Sequence, residues 1–152
     1  MTRVGLDSNI LAYLAGVSRV EADAHKIVRI RDTIEQLGSR VTLIAPVQTL
    51  GELFVVLRRS GATASEARSV LTEFAESFGT ASTERATAVS AADLVVDHGL
   101  QFWDALIVTA AAAAGCTMLL SEDMQHGFVA RGLTIINPLT DAVHPKLAAL
   151  LT

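Results

Sequence analysis

Four acids stand out in the sequence by their settings: Asp7, Glu52, Asp104 and Asp123. Asp7 closes a short apolar run from Arg3 to Leu6, Glu52 lies within the apolar stretch ELFVVLRR, and Asp104 and Asp123 stand near the two ends of FWDALIVTAAAAAGCTMLLSED. Carboxylates brought together repel one another, a pair ~4 Å apart costing roughly 4 kcal/mol at an effective dielectric of 20. A hard divalent cation removes that objection. Magnesium or manganese takes oxygen ligands, orients a phosphate, activates a water and stabilises the charge that develops as a phosphodiester breaks. Asn9 and Ser121 could hydrogen-bond the carboxylates, the water or the metal ligands. Each residue also has an ordinary role: a turn for Asp7, a helix-start acid for Asp104, a strand-end turn for Asp123, a solvent-facing helix acid for Glu52, and capping or turn duty for Asn9 and Ser121. Glu122 competes with Asp123 for the same place.

The elements that would carry these residues follow from periodicity and caps. Arg3 to Leu6 reads as a strand, with Ser8 or Asn9 as the N-cap of a helix through Leu14. A second helix is expected over about Val20 to Leu37, with Val20, Ala24, Ile27, Ile34 and Leu37 on one face and Gly38 as its stop. Val41 to Ala45 is a strand candidate, and Pro46 suits the first turn of a helix to about Ser60 that carries Glu52. Thr63 and Glu66 have capping-box spacing ahead of a helix burying Ala67, Val70, Leu71 and Phe74. Phe78 to Ser82 reads as a short strand, and a helix over about Glu84 to His98 closes at Gly99. The alanine-rich run after Asp104 favours a helix ending at Gly115, followed by a buried strand over Thr117 to Leu120. Leu133 to Ile136 gives a last strand, and Ala142 to Leu151 a short terminal helix after Pro145 or a frayed tail.

Alternating strands and helices imply an α/β fold, a parallel sheet covered by helices on both faces. Function in such sheets gathers at the carboxyl ends of strands, which is where Asp7 and Asp123 fall. The length of 152 residues suits one domain with a full core, 1–152, with a short C-terminal extension from about 141. The apolar content of 51% raises the question of a membrane span, but Ala105 to Leu120 falls short of the ~20 residues one requires. Asp7 comes too early for a signal peptide, so the expected location is cytoplasmic. The one cysteine, Cys116, reads as a small buried apolar residue. A net charge of −4 argues against broad attraction to nucleic acid, although local basic patches can coexist with it. Arg58 and Arg59 with Arg68, or Lys26 with Arg29 and Arg31, are such candidates, with a solvated helix face as the ordinary reading. Trp103 could stack on a base, but a buried aromatic near the helix start is favoured. His126 reads as a solvated loop histidine, and the four histidines show no zinc-site spacing.

Taken together, Asp7-Ser8-Asn9 after the first strand, Glu52 within ELFVVLRR, and DALIVTAAAAAGCTMLLSED with Ser121 and Asp123 near its end resemble the PIN-domain nucleases, in particular the VapC-like toxins of bacterial toxin-antitoxin pairs. The likeness runs from the first strand to LTIINP. It implies a three-layer sandwich around a central parallel sheet of four to five strands. It also implies a magnesium-dependent endoribonuclease, with manganese as a substitute, that hydrolyses RNA by metal-activated water. On this likeness Asp7, Asp104 and Asp123 are expected to be the direct metal-site residues, with Glu52 expected to bind metal or to act through a water. Asp123 is preferred to Glu122 because it fits the family pattern. A homodimer and a small antitoxin partner follow from the same likeness. After the acid, the family's acid-then-aromatic spacing becomes Asp123-Met124-Gln125-His126-Gly127-Phe128 here, a departure that could alter substrate choice. The alternative is a catalytically inactive PIN-like domain that binds protein or RNA. An aspartyl-phosphate phosphatase using Asp7 is weaker, because Asn9 stands where that chemistry commonly places a second acid.

Overall fold

A computed structural model describes residues 1–151. Six strands, β1 (Thr2–Leu6), β2 (Val41–Pro46), β3 (Gly79–Ala81), β4 (Cys116–Leu120), β5 (Val129–Ala130) and β6 (Leu133–Ile136), form one sheet in the order β3-β2-β1-β4-β6-β5. All neighbours are parallel except β5 and β6. Seven α-helices surround it: α1 (Ser8–Leu14), α2 (Ala24–Leu37), α3 (Val47–Arg59), α4 (Ala64–Ser77), α5 (Arg85–His98), α6 (Phe102–Ala113) and α7 (Pro145–Leu151). The chain builds outward from β1 through β2 to β3, then crosses back to place β4 on the other side of β1. The sheet therefore changes direction between β1 and β4, where a crevice opens at the carboxyl ends of parallel strands.

Strand alternation divides the core into two layers. Val4, Leu6, Val41, Ala45, Met118 and Leu120 face a cluster with α1, α2, α3, α4 and α7. Ile44, Leu119, Leu133 and Ile135 face α5 and α6 on the opposite side, where Cys116 is also buried and its thiol pKa is pushed up to about 11 by burial. On that side the close approach of α6 depends on small residues. A Cβ at Gly5 would lie 3.0 Å from Leu119 Cδ1 and 3.5 Å from Ala111 Cβ, so glycine and alanine let helix and strand meet.

The caps follow the sequence. Thr63 and Glu66 form a reciprocal capping box at α4, Gly99 takes the left-handed conformation after α5, and Gly38 closes α2. Four local expectations change. The sheet has six strands rather than four to five, because two residues suffice for β5: Arg131 and Gly132, both at positive φ, turn the chain tightly into an antiparallel pair with β6. Val20 precedes α2 instead of lying on it and is 56% exposed; a single 3-10 turn, Glu21–Asp23, leads into a helix that buries Ile30, Thr33 and Leu37. Thr33 is tolerated inside because its hydroxyl donates to the Arg29 carbonyl at 2.9 Å. Pro46 ends β2 rather than opening the next helix. The strand after α4 shrinks to Gly79–Ala81, since Phe78 is taken up as the helix's C-cap. The terminal segment forms α7, with Leu147 buried in the same cluster as α1 to α4. Among the described residues no helix is long and apolar enough to cross a membrane.

Candidate metal centre

The backbone N–H of Asp7 donates to the Leu120 carbonyl at 3.0 Å, which continues the β1–β4 ladder by one rung and sets the aspartate directly above the crevice. Asp7 itself, not Ser8 or Asn9, is the N-cap of α1, and its Oδ1 accepts from the Ser8 N–H at 2.7 Å. Its other oxygen, Oδ2, accepts from the Ser121 hydroxyl at 2.7 Å and from Asn9 Nδ2 at 3.4 Å. Ser121 is fully buried just past β4, and its hydroxyl also accepts from the Met124 N–H at 3.2 Å. Asn9 bridges both strand ends, donating from Nδ2 to Asp123 Oδ2 at 3.2 Å and accepting the Glu122 N–H at 3.1 Å. Glu52, in the second turn of α3, is held at both oxygens, by Ser8 Oγ and by Gln48 Nε2, each at 3.0 Å. Asp104 stands in the first turn of α6, and among the described residues its carboxylate accepts no hydrogen bond.

Burial dominates the electrostatics. Asp7 is only 4% exposed. Desolvation pushes its pKa up to about 6, with the Ser121 and Ser8 hydrogen bonds pulling down and the charges of Glu52 and Asp104 pushing up further. Asp104 is also raised, by burial first and then by Glu52 and Asp123. Asp7 thus feels Glu52 and Asp104, and Asp104 feels Glu52 and Asp123, so the four acids, from two helices and two strand-end loops, share one electrostatic neighbourhood. No three acidic, histidine or cysteine side chains among the described residues close on a single point tightly enough to hold an ion by themselves. That spacing still fits magnesium, which keeps several waters and is commonly bound through one or two carboxylates. The all-oxygen donor set and the uncompensated repulsion around Asp7 suit a hard cation in the same way.

Glu122 faces elsewhere. It accepts from the Tyr13 hydroxyl at 2.5 Å and from Lys26 Nζ at 2.7 Å, and Lys26 also reaches Asp23 at 3.5 Å. Burial and the Glu122 contact both raise the Tyr13 phenol. The exposed Arg19 pairs with Asp123 Oδ2 at 2.9 Å. Ser8, Gln48, Tyr13 and Arg19 carried no sequence signal for these roles, because each acts across the fold rather than within a motif. Of the basic groups considered for phosphate, Lys26 is spent on Glu122, Arg29 donates to the carbonyls of Leu139 and Thr140, and Arg31 reaches the Leu14 carbonyl. Arg58 reaches the Ala62 carbonyl, whereas Arg59 has no ion pair or hydrogen bond among the described residues. His126 accepts the Asn137 N–H at 2.9 Å and meets His144 edge-on. Trp103 is not buried as expected: it is 57% exposed, because the inward positions of this first helical turn are taken by Ala105 and Leu106.

Two hollows flank the acids. One, of about 630 Å³, includes Ser8, Asn9, Arg19 and Asp123; the other, of about 590 Å³, includes Glu52, Val55 and Trp103. Val56 and Arg59 line both.

The chain matches the PIN domain family over residues 4–131. No curated protein sequence matches it. Among solved structures the fold is similar to VapC20 of Mycobacterium tuberculosis, described as a toxin that cleaves the sarcin-ricin loop. That similarity has a TM-score of 0.59 and 14% identity over 79% of this chain and 91% of that one. It is similar to a toxin-antitoxin complex from Klebsiella pneumoniae, at TM-score 0.62 and 17% identity over 89% of this chain and 97% of that one. It is also similar to VapBC2 of Rickettsia felis bound to a DNA fragment from their promoter, at TM-score 0.60 and 18% identity over 80% of this chain and 89% of that one. These likenesses concern the fold, and the family match spans the strands and helices that bring the four acids together: the chain belongs to the PIN domain family.

Proposed function

We propose that the chain is a divalent-metal-dependent endoribonuclease and the toxin of a toxin-antitoxin pair. The observation that carries this reading is the frame around the buried Asp7: Asn9 ties it to Asp123 and Ser8 ties it to Glu52, while the charges of Glu52 and Asp104 bear on its carboxyl. A helix cap alone needs no Glu52 or Asp104 beside it, and their repulsion works against the fold unless a cation offsets it. Magnesium, or manganese in its place, would be held by Asp7, Asp104 and Asp123, with Glu52 directly or through a water. Such an ion would supply Lewis-acid stabilisation of the charge that develops at phosphorus. The chain's own groups divide the remaining work. Ser121 and Asn9 orient Asp7, Ser8 and Gln48 fix both oxygens of Glu52, and Asp104 keeps a carboxylate without a hydrogen-bond donor, free to turn toward ion or water. Hydrolysis of this kind needs no covalent intermediate and is expected to leave a 3′-hydroxyl and a 5′-phosphate.

RNA as substrate and a small antitoxin as inhibitor are supported by family membership together with the fold likeness to VapC20 and the toxin-antitoxin assemblies. A homodimer and a cytoplasmic setting belong to the same reading. The test uses protein freed of any copurifying inhibitor and end-labelled RNA. Cleavage is expected with magnesium or manganese, and Asp104→Asn is expected to abolish it while circular dichroism stays unchanged. Metal-independent cleavage, or full activity in Asp104→Asn, refutes the mechanism. Calorimetry without saturable magnesium or manganese binding would favour an inactive binding domain.

A further inference from the structure

We infer that the hollow between α3 and the start of α6 is a base-stacking subsite in which the Trp103 indole takes one nucleobase of a single-stranded RNA held at the acids. The inference rests on the ribonuclease reading and names the form in which the substrate is gripped. Trp103 immediately precedes Asp104, and its ring is braced edge-on by Phe102, with centroids 5.4 Å apart, so the platform is set before anything binds. Val47 and Val55, both close to half exposed, line the same hollow and continue its apolar surface. Glu52 lines it too, so an occupant of the hollow is contiguous with the carboxylate neighbourhood.

Charge favours a nucleotide over an apolar protein segment. Arg59 stands on the wall shared by both hollows, with no ion pair or hydrogen bond to satisfy its guanidinium. A free guanidinium and an exposed indole lining one hollow beside Glu52 offer a phosphate contact and a base contact next to acids suited to a metal. Stacking of this kind tolerates any base, because every base presents a π-face. The volume of about 590 Å³ also falls in the range of pockets that take small ligands.

Trp103 is the only tryptophan, so its fluorescence reports on this subsite alone. Asp7→Asn protein, which should not cleave, is titrated with a ten-nucleotide oligoadenylate and with an abasic ribose-phosphate oligomer of the same length. Quenching is expected with oligoadenylate and not with the abasic oligomer. Gly51→Leu gives a second reading: Gly51 lines the hollow and a Cβ there meets nothing within 4 Å, so the substitution adds bulk at the wall of the hollow while raising helix propensity. It should suppress the quenching with Trp103 still present. In the cleaving protein, Trp103→Ala is expected to raise KM about tenfold, more than it lowers kcat, and Trp103→Phe to recover most of that loss.

Equal quenching by both oligomers, or none by either, overturns the subsite, and an unchanged KM in both Trp103→Ala and Gly51→Leu does the same. Those two results are also what a protein-binding hollow would give. Because the fluorescence titration needs no turnover, it tests the subsite even where the wild-type chain cleaves nothing. Cleavage by wild type with no base-dependent quenching leaves the nuclease reading standing and removes this one.

Discussion

Asp7→Asn should make the metal-free protein more stable at neutral pH while removing its activity. In the folded chain the Asp7 carboxyl titrates near 6, against 3.8 for an unperturbed aspartate. Two pH units of difference correspond to roughly 3 kcal/mol, at about 1.36 kcal/mol per unit. The sign follows from a raised carboxyl pKa. Below pH 3.8 both folded and unfolded chains carry a protonated Asp7 and nothing is lost. As pH rises through 6 the folded chain must hold a buried charge, and the full cost is present at pH 7. Asparagine keeps an acceptor for the Ser8 N–H but turns an amide toward Ser121; the charged hydrogen bond is already contained in the pKa near 6, so the remaining loss is that of a neutral one, about 0.5–1.5 kcal/mol. The net expectation is a gain of about 1.5–2.5 kcal/mol at pH 7 in EDTA, shrinking and reversing near pH 4. Urea unfolding of both proteins at the two pH values measures it. Saturating magnesium should then stabilise wild type, by the usual mass-action amount, and not the variant. The reasoning is refuted if Asp7→Asn is less stable than wild type at pH 7 by the same margin as at pH 4.

Other substitutions separate neighbouring roles. Ser121→Ala removes a buried donor to the Asp7 carboxylate and should cost about 1.5–3 kcal/mol in urea unfolding, with the Asp7 titration, followed by NMR, moving further up. Arg19→Ala breaks an ion pair whose side chains are 77% and 48% exposed, so stability should change by less than about 1 kcal/mol, while magnesium binds more tightly by calorimetry because a competing cation has left Asp123. Glu122→Gln unsettles the Tyr13 and Lys26 contacts and should destabilise by about 1–3 kcal/mol without altering magnesium affinity, the opposite of what Asp123→Asn should do.

The parts of this fold legible in the sequence are those fixed by short-range chemistry. Alternation in the strands, the Thr63 and Glu66 capping box, Gly99 as a left-handed stop and the alanine run of α6 each declare themselves within a few residues. What escaped depends on partners far away. Val20 looks like a helix residue until the 3-10 turn before α2 leaves it in solvent. β5 is too short to show a period, and exists because two positive-φ residues fold it onto β6. Nothing adjacent to Trp103 says that Ala105 and Leu106 will take the inward positions. At the site, the four acids could be picked out by their apolar settings, but the roles of Ser8, Gln48, Arg19 and Tyr13 are cross-chain contacts that no local pattern encodes.

The middle position of β1 has a consequence in time. β1 emerges first during synthesis, but β4, its neighbour, comes after α1 through α6, and the hydrogen bond from Ser121 to Asp7 joins residues 114 apart. Until Leu120 and Ser121 leave the ribosome, Asp7 lacks both the carbonyl that anchors its backbone and the hydroxyl that orients its carboxylate. Closing so long a loop is a late step in folding. A chain stalled or cut before β4 would carry Asp7, Glu52 and Asp104 with no frame to hold them together, so the acidic site cannot assemble until most of the chain has been read.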